Sequence, residues 1–122
     1  MLGCWAQTYT PQPSPQTGRV VIYRYQDPVV GRKPSVHVDG IEVARLPRKK
    51  YFVLNLAPGR HIITGEKNEN GIELSVERGR TYYVRGGMQT VSVWTRPHLM
   101  VFLVAPEQGE QDIKTLEALG TH

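Results

Sequence analysis

His37, His61, His98 and His122 are the four histidines of this 122-residue chain, and they stand far apart. His37 and His61 could meet across a sheet. A metal site needs further ligands, which Asp39 or Glu42 would have to supply. An exposed strand histidine beside Glu42 is the simpler expectation, and no metal site is assigned. Nucleophilic catalysis needs an activated serine or cysteine. Ser14, Ser35, Ser75 and Ser92 have no elbow motif around them, and the single cysteine, Cys4, lies in a tail that cannot preorganise a site. Glu73 and Glu77 share one strand face about 13 Å apart, too far for a glycosidase pair. The glycines follow neither Walker nor dinucleotide spacing. No catalytic residue and no cofactor is therefore expected, and the chain reads as a non-catalytic module, with a small enzyme as the less favoured alternative.

Charge offers a second kind of chemistry. Arg45, Arg48, Lys49 and Lys50 fall within six residues, with Arg32 and Lys33 upstream, in a chain of net charge +4. Such a cluster suits a phosphate, a lipid headgroup or an acidic polymer. It equally suits a solvated turn whose lysines discourage edge pairing. No aromatic platform or nucleic-acid motif accompanies it, so nucleic acid is not the expected partner. Tyr23, Tyr25, Tyr51, Tyr82, Tyr83 and Trp94 beside Arg24, Arg60 and Arg85 could form a binding face. Core and rim of a small domain, with arginine stems covering rings, is the favoured reading.

The chain opens Met1-Leu2-Gly3-Cys4. A small residue before a cysteine resembles the end of a bacterial lipoprotein signal, where that cysteine receives the lipid. The hydrophobic segment that normally precedes it is not among these residues. Trp5 to Gly18 holds Pro11, Pro13 and Pro15 among Gln, Thr and Ser, with no apolar periodicity. It cannot bury enough surface to offset its ordering entropy. Its prolines favour an extended strand of about 3.1 Å per residue, or about 40 Å in all. Residues 1–18 are expected to be a lipobox-like remnant and a tether. A lipid on Cys4 would hold the protein at the bacterial envelope, facing the periplasm. A free thiol in the cytoplasm is the alternative. No run of 18 apolar residues exists to span a bilayer.

The remaining residues must form whatever carries these groups. Twelve glycines and nine prolines argue against a helical bundle. Arg19–Tyr25 is rich in β-branched and aromatic residues. Asp39-Gly40 between Ser35–Val38 and Ile41–Leu46 predicts a two-residue hairpin with a type I′ turn. In that register Val38 faces Ile41, Val36 faces Val43, and His37 faces Glu42. Tyr51–Leu56, Arg60–Thr64, Ile72–Glu77 and Arg80–Arg85 follow as strands, divided by Pro58-Gly59, Asn70-Gly71 and Arg78-Gly79. Gly86-Gly87 breaks the chain, and Thr90–Thr95 is a short strand. Leu99–Val104 is apolar on both faces, which predicts a central strand covered on both sides. Ile113, Leu116 and Leu119 put an apolar stripe on a helix over Gln108–Leu119. The fold class is all-β: an antiparallel sandwich of about seven to eight strands with one short C-terminal helix, over residues 19–122.

Four landmarks then stand in order: Val36-His37-Val38-Asp39-Gly40, Tyr51-Phe52-Val53-Leu54, Leu56-Ala57-Pro58-Gly59-Arg60-His61, and Gly79-Arg80-Thr81-Tyr82-Tyr83-Val84. Together they resemble the bacterial domain-of-unknown-function 2846 family and the wider PEGA-like domains. Ala57 replaces the first proline of the usual Pro-Pro-Gly. The resemblance covers roughly Gly18 to the C-terminus. It implies a β-sandwich and, since many members are envelope lipoproteins, agrees with Cys4 and the tether. It brings no activity and no catalytic residues.

Overall fold

Val20, Val21, Ile22 and Tyr23 are successive residues that fit an extended backbone and bury well. They form the middle of the first strand, β1 (Gly18–Arg24), in a computed structural model that describes residues 16–25, 31–65, 71–89 and 98–119. There follow β2 (Ser35–Val38), β3 (Ile41–Arg45), β4 (Lys50–Leu56), β5 (Gly59–Thr64), β6 (Gly71–Val76), β7 (Thr81–Gln89) and β8 (His98–Val104). A helix, α1 (Pro106–Ile113), and a two-residue strand, β9 (Glu117–Ala118), complete the described elements.

The strands form two sheets, one in the order β8-β7-β1-β4-β9 and the other β3-β2-β5-β6. The fold is thus an all-β sandwich with one short C-terminal helix. Most neighbours are antiparallel, but β1 pairs with β7 in parallel, and β4 with β9 likewise. Strand β1 lies in the middle of the larger sheet, between antiparallel β4 and parallel β7.

The alternation of a strand divides β1 between two cores. Val20 and Ile22 face the sandwich interior with Val36, Leu46, Phe52, Ile63, Leu74, Val84 and Leu99. Val21 and Tyr23 face the other way and pack with Tyr83, Val53, Val104, Ile113 and Leu116. The helix sits on that second face. Gly109 of α1 lies so close to the sheet that a Cβ there would stand 2.2 Å from Tyr83 Cγ.

The hairpin forms as expected in its turn, with φ of 53° at Asp39 and 84° at Gly40. Its register departs after the second pair from the turn. Val38 opposes Ile41 and His37 opposes Glu42, but a bulge between Val36 and His37 sets Val36 against Ala44 rather than Val43. Ile41 is not a core residue either, being 69% exposed.

Three further expectations need correction. Strand β8 ends its sheet rather than centring it, and Phe102 and Leu103 are 41% and 51% exposed. Its apolar character on both faces has two sources: Leu99 and Val101 enter the main core, while Val104 joins the helix side. Gly86 and Gly87 do not break the chain but lie inside β7. Gly86 leaves room for Leu99, whose Cδ1 would be 3.1 Å from a Cβ at that position. The helix starts earlier and ends at Ile113, with Pro106 in its first turn. Leu116 and Leu119 lie beyond it. Glu117 N–H donates to Lys49 O at 3.1 Å and Leu119 N–H to Tyr51 O at 2.7 Å, so the segment joins β4 instead of coiling. Thr90–Thr95 and the turn residue Asn70 lie outside the described residues.

Candidate functional site

The β2–β3 turn projects Asp39 onto the start of β5. Asp39 N–H donates to Ile62 O at 2.8 Å, and Asp39 Oδ1 accepts Ile62 N–H at 2.9 Å. Asp39 Oδ2 lies 2.7 Å from His61 Nδ1, and His61 Nε2 lies 2.8 Å from Ala57 O. A carbonyl oxygen can only accept. The Asp39 carboxyl is held below its usual range, first by the Ile62 N–H and then by His61, so it too accepts. Both ring nitrogens are therefore placed to donate, an arrangement that favours the imidazolium. The Asp39 bond raises the His61 pKa, with the Ala57 carbonyl helping and burial opposing. Cation and carboxylate clasp the hairpin tip to the β4–β5 turn.

His37 and His61 do not come together. The register sets His37 opposite Thr64 on β5, where its ring lies 3.2 Å from Gly65 O. His37 is half-buried and directly opposite Glu42. Among the described residues no group of three His, Cys, Asp or Glu side chains could hold a metal ion. Sequence reasoning missed the Asp39–His61 pair. The signal available was that both residues sit inside quoted landmarks, Val-Asp-Gly and Pro-Gly-Arg-His.

A second polar constellation lies under the helix. Tyr23 O–H donates to Asp112 Oδ2 at 2.5 Å, and Gln108 Nε2 donates to Asp112 Oδ1 at 2.7 Å. Arg85 Nη1 stands 3.6 Å from the same Oδ2. The Arg85 guanidinium also lies 5.9 Å from the centre of the Tyr25 ring, which meets Tyr23 edge-on at 6.5 Å. Burial, and then the Asp112 bond, pushes the Tyr23 phenol far up, so it stays protonated and donates. The tyrosines and arginines thus serve as core and rim. Tyr83 is buried, with its pKa raised by desolvation. Tyr82 packs on the main core, and its hydroxyl accepts Glu77 N–H at 2.9 Å. Arg60 pairs with Glu73, and Glu77 pairs with Arg80 at 3.1 Å, so the two glutamates occupy a solvated face. Trp94 lies outside the described residues.

The basic segment is split by its partners. Arg45 lies 3.5 Å from Glu42, and Lys50 lies 2.5 Å from Glu117. Lys33 and Lys49 are exposed and unpaired among the described residues. Lys49 has a φ of 63°, and Arg48 Nε is buried without a hydrogen-bond partner. The structure does bring the upstream pair to this segment. Leu46 N–H donates to Pro34 O at 2.8 Å, and buried Arg24 donates from Nη1 to Arg32 O at 2.9 Å and Leu46 O at 3.2 Å. Cys4 lies outside the described residues, as do His122, Ser14, Ser92 and the side chain of His98.

With this geometry in hand, comparison with known proteins yields one family. A family model described as "Protein of unknown function (DUF2846)" matches residues 14–96. No curated protein and no solved structure matches the chain.

Proposed function

The chain belongs to the DUF2846 family of proteins of unknown function, and we propose that it is a non-catalytic binding or structural module held at the bacterial envelope. Its folded head faces the periplasm, carried by a lipid on Cys4 through the proline-rich segment that follows. One observation supports the non-catalytic part above others. Among the described residues, Asp39, His61, Tyr23 and Asp112 are all bound to one another or to backbone in fold contacts. A general base needs a free acceptor within reach of substrate, and these acceptors are occupied.

The anchoring part rests on Gly3-Cys4 and the tether composition. Labelled fatty acid is fed to cells making the protein from its native start. Label enters the wild-type protein and is absent from Cys4→Ser. Absence of label from the wild type, or equal label in both, overturns the anchor.

A further inference from the structure

We propose that the pole of the sandwich opposite Gly18 is a binding surface for an acidic glycan, contacted through Lys33, Arg45, Arg48 and Lys49. The choice of glycan over lipid rests on the tethered reading above, and the surface itself does not.

The topology fixes where this pole is. Strand β1 runs from Gly18, opposite Leu56, to Tyr23, opposite Tyr51. The β3–β4 turn at residues 46–49 therefore lies at the far end of β4 from Gly18, about 20 Å along the strand. Ser35 pairs with Arg45, and Leu46 is bonded to Pro34, so Lys33 comes to the same end. Arg24, wholly buried, ties the 32–34 and 46 backbones to the last residue of β1. Cations from two separate stretches of chain share one rigid platform.

Two details mark the surface as more than a solvated turn. Lys49 holds a left-handed backbone conformation that lysine adopts at a cost and glycine or asparagine adopts readily. Strain of this kind concentrates at functional positions, and here it sets on the turn an ammonium that is exposed and unpaired among the described residues. Arg48 is half-buried with Nε lacking an acceptor. With Nε turned inward, the two terminal nitrogens of its guanidinium are the ones that a carboxylate would meet.

Ligand class follows from what surrounds the charges. A chain held from its Gly18 end turns this pole away from the lipid that holds it. Single-stranded nucleic acid needs rings on which bases stack. The rings nearest this pole among the described residues, Tyr25 and Tyr51, are half-buried and packed on the helix-side core, and the exposed Phe102 lies on β8, three strands from β4. Point charges on flexible stems, with no exposed ring beside them among the described residues, suit a carboxylated polysaccharide.

The test uses the full chain carrying Cys4→Ser, so that no lipid contributes. Polygalacturonate is titrated at low ionic strength, beside a single-stranded oligonucleotide and phosphatidylglycerol vesicles. Polygalacturonate binds most tightly. K49G weakens it about threefold while the melting temperature holds or rises, because glycine relieves the backbone. The double variant K33Q/K49G weakens it about tenfold. Unchanged binding in the double variant overturns the surface, and tighter binding of the oligonucleotide or the vesicles overturns the glycan. Neither result bears on whether Cys4 is acylated.

Discussion

Asp39 and His61 show how a single pair can hold two distant turns. Asp39 satisfies the Ile62 amide and the His61 ring at once. Removing it by Asp39→Ala leaves both to water and should cost about 0.5–1.5 kcal/mol, read as a shift in urea midpoint at constant slope. The pH dependence has a definite sign. The folded-state pKa of His61 is raised, so its contribution is complete below the ordinary histidine value of 6.5 and fades as pH rises through the raised value. The folded-state pKa of Asp39 is lowered, so its contribution is complete above the ordinary value of 3.8 and fades as pH falls through the lowered one. Wild type minus His61→Ala stability should therefore be greatest between about pH 4 and 6.5. A difference that grows above pH 8 would contradict the clasp. Sequence alone supplied the Asp39-Gly40 turn, because positive φ at both positions is a local demand. It did not supply the partner 22 positions away, because nothing local records which turn faces which.

At the scale of elements, α1 is held by a polar bond and a close packing contact. Asp112 is 3% exposed and accepts from buried Tyr23. Asp112→Ala leaves that phenol without an acceptor and should destabilise by about 2–3 kcal/mol. Adding Tyr23→Phe should cost little more, since the orphaned group is then gone; additive losses in this double-mutant cycle would refute the coupling. Gly109→Ala places a methyl group inside the Tyr83 ring contact. Lifting the helix to admit it should cost about 1–3 kcal/mol, seen as a lower melting temperature with weaker tyrosine circular dichroism. The helix was legible in its existence and not in its span. Ile113, Leu116 and Leu119 at intervals of three satisfy a helical stripe. They also satisfy a turn followed by a strand, and the backbone bonds to Lys49 and Tyr51 decide for the latter. Strand β8 misled for a related reason. Apolar residues on both faces indicate two covered faces, but they do not say whether a further strand lies alongside.

Across the whole molecule, β1 organises the sandwich. It is paired on both edges and buried on both faces. Its amides from Val20 to Tyr23 should exchange with solvent only through global unfolding, while those of β3 and β9 exchange through local opening. Native-state hydrogen exchange decides this; sub-global exchange within β1 would remove its central role. The class of fold could be read from the strands and turns, which are local. The parallel β1–β7 pair could not, because it joins segments some sixty residues apart and needs the whole sheet assembled. That placement has a mechanical consequence. A pull on the chain before Gly18 runs along β1, and its bonds to β4 and β7 bear the load side by side in shear. A pull from the C-terminus peels the two-residue β9 from β4 almost one bond at a time. The bonds of β1 should therefore withstand a pull from the N-terminal side better than those of β9 withstand one from the C-terminal side, a difference that single-molecule unfolding would read.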